Sequence, residues 1–372
     1  MRDGVFVTGG TGFLGSYAIA RILQDTELPV FAMVRARDRA HALERLWEAL
    51  QLNLPDEDAF WALQPRLHPI PGDLHAPRLG LSDADHQRVM SEVDSVLHVA
   101  ASLNRKSPRS CFNTNLRGSL SVLKLASALA AAGRLQRFTN VSTAAVAGKR
   151  QQQIVEEDRS IEWDRSDYDP YARTKKFVEH MSTELLDDAL VLTLRPSSVL
   201  GDSRHDACWI TDMVRAFCVL ADLPAVPLDP DVRQDLVAGD WVGAGIARLH
   251  LEPELPHHTF HLSMGANAPT GRSLAAALAA DGERLRFVRT LADPFHVLMR
   301  ALDRLPRSKA QQIGAVMKVF WPYMTNDVVF DNQRASAILG PPPRFEDVCP
   351  GMVRYARSVK RRNVRVPLER RR

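Results

Sequence analysis

The sequence of 372 residues has few cysteines: Cys111, Cys208, Cys218 and Cys349 are scattered and form no close pair. A structural zinc site needs thiolates or imidazoles a few residues apart. His205, His257, His258 and His261 do not supply that spacing either, so no metal site is expected. Scattered thiols suit a reducing cytoplasm, which is where we expect the protein to reside. The opening MRDGVFVTGG lacks the apolar run and small-residue cleavage site of a signal peptide. Long apolar helices are missing too: the best, LSVLKLASALAAA at 120–132, is short and carries Lys124, so no transmembrane anchor is expected. Neither 202–235 nor 287–330 shows a repeat. With 45% hydrophobic residues, the chain reads as globular, long enough for one large domain or two smaller ones.

The formal charge of +4 is unevenly spread. Residues 352–372 hold nine Lys or Arg and one Glu, a local +8 that leaves −4 for the remainder. This basic tail is expected to be either a solvated terminus or a dock for an acidic partner. It has no interleaved aromatics and no accompanying motif, so specific nucleic-acid recognition is not expected.

The stretch GVFVTGGTGFLGSYAIARILQ passes from a short apolar strand through a glycine-rich turn into a helical pattern. Gly10, Gly12 and Gly15 make G-x-G-x-x-G, and Gly9, Gly12 and Gly15 make an overlapping spaced set. Between a strand and a helix, such glycines allow a tight turn and let a pyrophosphate approach the first helical amides. The alternative is a purely structural turn. Twenty residues past Gly15, where an acid would meet an NAD ribose, stands Arg35. Arginine pairs with a 2′-phosphate, which favours NADPH/NADP+ over NADH. Arg37, Arg39 and Arg45 are further candidates, each with a solvated helix-face charge as its alternative.

Strand patterns at 29–36, 66–73, 94–101 and 135–143 alternate with helical ones, ending in a strand near Pro196. The fold class is therefore α/β: a Rossmann-like, doubly wound parallel sheet with a smaller C-terminal substrate-binding domain. We expect 1–200 to form most of the nucleotide domain and 201–350 most of the substrate region. Residues 236–262 are expected to return to the first, with a basic tail from 351. Asp73, after the third strand, is placed to accept from an adenine amino group or to cap its own turn.

After the fifth strand come VSTAAVAG at 141–148, a polar loop, and DYDPYARTKK at 167–176. Tyr171 and Lys175 share a helical face at i,i+4, a spacing that alone also describes a surface contact. Together with the glycine turn and Thr143, it points to proton transfer at the carboxyl ends of the strands. A tyrosine with a pKa of about 10 is a poor base near neutrality, and a nearby ammonium would favour its phenolate.

On TGGTGFLG, HVAA at 98–101, NTNLRGS at 113–119, VSTAAVAG, YARTK and LRPSSVLG at 194–201, the chain resembles the extended short-chain dehydrogenase/reductase family across most of residues 3–265. The resemblance implies that Thr143 bonds the reacting oxygen, Tyr171 exchanges the proton, and Lys175 tunes Tyr171 and holds the nicotinamide ribose. It gives Asn115 a supporting role, with a helix-terminus hydrogen bond as the alternative. The matched motifs place the cofactor against Gly9, Gly10, Thr11, Gly12, Phe13, Leu14 and Gly15, and further along against Leu74, Ala100, Pro196 and Ser198.

MVRARDRAHALERL at 33–46, GDLHAPRLGLS at 72–82 and VLHVAASLN at 96–104 are similar to the thioester-reductase and fatty-acyl-CoA-reductase, or male-sterility-like, branch. There Arg35 would read the NADP phosphate, with Arg45 as a second reader. The segments 236–250 and 328–340 are similar to later parts of these reductases. Two departures stand out: Lys176 replaces an aromatic residue, and DSRHDACW follows Gly201. The branch implies NADPH-dependent reduction of an acyl thioester, on an acyl-carrier protein or CoA, to an aldehyde or alcohol. The substrate would be an acyl or polyketide chain, with Trp209, Phe217, Phe295 and Tyr323 as candidate channel residues and core packing as their alternative. Competing readings are an NADP(H)-dependent ketone/hydroxyl oxidoreductase and an NADP-sensing interaction protein. No feature sets an oligomeric state.

Overall fold

Seven short segments rich in Val, Ile, Leu and Phe form a single parallel sheet in the computed structural model, which describes residues 3–280 and 285–359. They are β1 (Val5–Thr8), β2 (Val30–Val34), β3 (Leu67–Pro71), β4 (Ser95–His98), β5 (Arg137–Val141), β6 (Val191–Pro196) and β7 (Thr259–Leu262). Their spatial order is β3-β2-β1-β4-β5-β6-β7. Val5 stands opposite Val30 on one side and Ser95 on the other. Alternation along β1 sends Val5 and Val7 into one core and Phe6 into the other. Both faces are covered, and the central β1 and β2 are the most apolar of the strands.

One face is covered by α1 (Phe13–Asp25) and α2 (Arg39–Leu50), the other by α3 (Gly118–Ala131) and α4 (Pro170–Leu185). The helix α5 (Asp212–Ala221) belongs to the later region, whereas α6 (Gly239–Leu251) returns to pack on α1. That approach needs Gly243, where a Cβ would lie 2.2 Å from the Cβ of Tyr17. Chain order reverses between β1 and β4, and the carboxyl ends of those strands open a crevice there.

The later region contributes α7 (Ala292–Leu302), α8 (Lys309–Thr325) and α9 (Phe345–Ser358). Met299, Met317, Phe320, Trp321 and Met324 form one apolar cluster with α5. Core packing, one of the two expectations for these side chains, accounts for Phe295, which packs on Trp321 at 5.2 Å. Phe217 packs likewise, edge-on to Phe345. This region is stitched back to the sheet. Val328–Phe330 pairs in parallel with Gln153–Val155, and buried Glu157 accepts from the amides of His261, Arg334 and Ala335.

Residues 351–358, expected to begin a tail, are instead the last turns of α9. Met352 and Val353 are buried, while Arg354 and Arg357 pair with Asp206 and Asp222, so an amphipathic face rather than solvation governs them. Residues 360–372, the rest of that tail, lie outside the described residues.

Candidate active site

The nucleotide end is built by the β1–α1 turn. Gly9 has φ +79°, a left-handed conformation that favours glycine, and its carbonyl accepts from the Gly12 amide at 2.9 Å. Gly12 caps α1 without a side chain, which leaves the first helical amides facing the crevice. Gly15 is enforced by packing: a Cβ there would lie 2.2 Å from the Gly9 carbonyl oxygen. Gly9, Thr11, Gly12, Phe13, Leu14 and Gly15 all line the cavity, whereas Gly10 faces Ile19 in the core.

Arg35, just beyond β2, and Arg45, on α2, line the same cavity, and Arg45 donates to the Arg35 carbonyl. Arg37 and Arg39 are engaged elsewhere, with Asp38 and Asp85. Asp73 and Leu74 are in the wall with Ala100, Pro196 and Ser198. The Asp73 carboxylate accepts from the His75 amide at 2.9 Å, so it caps its turn while facing the cavity.

At the other end α4 brings Tyr171 and Lys175 to the crevice. Asp169 starts this helix, its Oδ1 accepting from the Ala172 amide at 2.9 Å, and Pro170 occupies the first turn. Thr143 follows β5 and caps the turn Ala144–Ala147. Burial raises the Tyr171 phenol above its ordinary pKa, opposed first by the Arg105 guanidinium and then by a hydrogen bond with Thr143. Lys175 is 1% exposed, and burial lowers its pKa to about 8. Its Nζ donates to the Val141 carbonyl at 2.7 Å. Besides Lys175, the cation that the sequence motif assigns to Tyr171, the fold sets the Arg105 guanidinium against the Tyr171 ring.

Asn115 sits in a π-helical turn, Phe112–Arg117. Its Oδ1 accepts from the Ser102 amide at 2.6 Å and its Nδ2 donates to Thr174 Oγ1 at 3.1 Å. It thereby ties the loop after β4 to α4, outside the cavity wall. Lys176, the departure from the branch pattern, is buried against Asp167 at 2.8 Å. Asp202, in the other departure, accepts from Tyr17 and Arg204, each at 2.7 Å.

Arg35, Thr143, Tyr171 and Lys175 open with the glycine turn on one cavity of about 750 Å³, bounded on the far side by Trp209, Met213, Phe320 and Tyr323. Trp209 stacks on Phe13 at 6.1 Å, so the two ends are continuous. The site fits a dinucleotide. It offers open helix amides, a guanidinium at the end of β2, and the buried Ser142 hydroxyl, which stands in the wall with no partner among the described residues. Neither Ser142 nor Arg105 stands out in the sequence. Ser142 adjoins the Thr143 motif, but only the fold shows that it faces inward.

The fold and site together define a dinucleotide-binding protein of the Rossmann type. The family described as "Male sterility protein" matches residues 7–246, and the chain belongs to that family, with an NAD(P)H-binding Rossmann fold. It is 30% identical over 290 residues to a linear gramicidin synthase of Brevibacillus parabrevis, covering 76% of this chain and 6% of that protein. It is 31% identical over 261 residues to aldehyde reductase lnaA of Aspergillus flavus, covering 66% of this chain and 24% of that one. The chain therefore spans only a small part of these relatives. The solved terminal R domain from the myxalamid PKS-NRPS pathway superposes with a TM-score of 0.78 at 24% identity, covering 95% of this chain and 90% of that one. Among the described residues, no helix is long and apolar enough to cross a membrane.

Proposed function

We propose that the protein is an NADPH-dependent reductase of an acyl thioester, delivered on a carrier protein or as a CoA ester and released as an aldehyde or alcohol. The observation that carries this reading is the single cavity in which the Thr143 and Tyr171 hydroxyls share a wall with the β1–α1 turn and with Arg35. Similarity to fatty acyl-CoA reductases of Drosophila melanogaster and Arabidopsis thaliana supports the thioester part of this reading, and the family match supports its nucleotide part.

A nicotinamide cofactor held by the glycine turn, Arg35 and Lys175 would supply hydride for the thioester carbonyl carbon. Tyr171 and Thr143 donate hydrogen bonds to the oxygen as negative charge grows there, and Tyr171 gives up its proton. When the oxygen returns that proton to Tyr171, the carbon–sulfur bond breaks and thiolate leaves with the sulfur electron pair. Lys175 holds the ribose hydroxyls and so orients the reacting face. Arg35, with Arg45, meets the 2′-phosphate. Asn115 acts by holding Thr174, next to Lys175, in register. A second reduction, of the aldehyde, would give the alcohol. We place the enzyme in a reducing cytoplasm on the strength of its scattered cysteines.

The test is turnover. Purified protein with NADPH is offered acyl-CoA, acyl-pantetheine, carrier-bound acyl groups and ketones, and products are read by mass spectrometry. Aldehyde or alcohol from thioesters is expected, and turnover confined to ketones would overturn the reading.

A further inference from the structure

Arg105 lies in the loop after β4, a segment without secondary structure, yet its side chain is only 15% exposed. Its guanidinium carbon stands 4.4 Å from the centre of the Tyr171 ring, 5.0 Å from that of Tyr323 and 5.7 Å from that of Phe320. Nη1 donates to Asp169 Oδ2 at 2.8 Å and to the Tyr323 hydroxyl at 2.7 Å, and that hydroxyl donates to the same Oδ2 at 2.9 Å. Asp169 thus divides its work: Oδ1 starts the helix that carries Tyr171, and Oδ2 fixes the cation over the Tyr171 ring. Tyr323 extends the arrangement into α8 and stacks on Tyr168 at 4.7 Å.

We propose that Arg105 is a positioning residue of the reduction. Locked between Asp169 and Tyr323, it holds the Tyr171 ring in place and fastens α8 as a roof over the proton donor. The inference rests on Tyr171 being that donor. A buried cation over a phenol ring stabilises negative charge on the ring, so it serves Tyr171 when the proton has left. The second effect is steric. A roof helix tied to the helix start keeps Phe320 and Tyr323 against the substrate end of the cavity.

The experiment compares Arg105→Met, Arg105→Lys, Asp169→Asn and the double variant R105M/D169N, on whichever carbonyl substrate the wild type turns over. In R105M, kcat is expected to fall about 10- to 100-fold with the dissociation constant for NADPH unchanged. The solvent deuterium isotope effect on kcat should rise as proton donation becomes limiting, and R105K should recover most of the rate. D169N keeps a capping oxygen for α4 but loses the carboxylate. It should slow the enzyme in the same way, and the double variant should be no slower than the worse single one. Wild-type rates in R105M overturn the proposal, as do additive losses or a rate loss that leaves the isotope effect unmoved and is not rescued by lysine. If Tyr171→Phe were fully active, the donor reading would fail instead. R105M at wild-type rate beside a dead Y171F would remove only the role of Arg105.

Discussion

Replacing Lys175 by Met should change how stability depends on pH, and the size of that change follows from the burial of the ammonium. The folded pKa is about 8, against about 10.4 for a lysine in an unfolded chain. Between those values the unfolded chain binds the extra proton, so wild-type stability rises with pH across that window. At pH 7 the buried charge costs about 3 kcal/mol, and at pH 9.5, where the folded amine is mostly neutral, about 1 kcal/mol. Methionine carries no charge at either pH. The Val141 carbonyl loses its Nζ donor in the variant at both pH values, a cost that largely cancels in the comparison. Relative to wild type, K175M should therefore lose about 2 kcal/mol between pH 7 and 9.5. For a chain of this size, at about 2.1 cal/mol/K per residue, that is a relative fall in melting temperature of about 2–3 °C. Melting both cofactor-free proteins at the two pH values measures it. Parallel shifts in wild type and variant would refute the claim that the ammonium is buried at a cost.

Other outcomes follow from the same geometry. Y171F should lower kcat/KM by about 10²- to 10⁴-fold, with NADPH affinity by fluorescence titration within about twofold of wild type. R35A should erode the preference for NADPH over NADH by about tenfold or more, read as the ratio of the two dissociation constants. Cofactor-free G15A should melt lower by several degrees, because its Cβ meets backbone at 2.2 Å, whereas a Cβ at Gly12 stands 3.2 Å from the Gly9 carbonyl oxygen and G12A should melt less far below wild type. Calorimetry separates the two glycines before any ligand is added.

Strand and helix order was legible because strands such as Val5–Thr8 and Val30–Val34 are short apolar runs that end in turns, and because the glycine turn has its own spelling. The face shared by Tyr171 and Lys175 was legible from spacing alone. Arg105 was not, since its loop has no period and its partners Asp169 and Tyr323 lie 64 and 218 residues further along. Glu157 was hidden for the same reason: its three amides come from segments at least 104 residues away. The aromatics after residue 287 mix core and cavity positions on one helix. Phe320 and Tyr323 reach the cavity, and Trp321 between them does not. Composition is the same on both sides of that division, and only the packed helix separates them.

The pairing of Val328–Phe330 with Gln153–Val155 bears on how this scaffold can be re-engineered. A chimera that exchanged the C-terminal third for that of another reductase would leave the Gln153 strand without its edge and the buried Glu157 carboxylate without its amide donors. Specificity in this architecture does not travel as a cassette. A working graft has to carry the 149–158 segment along with its distant complement.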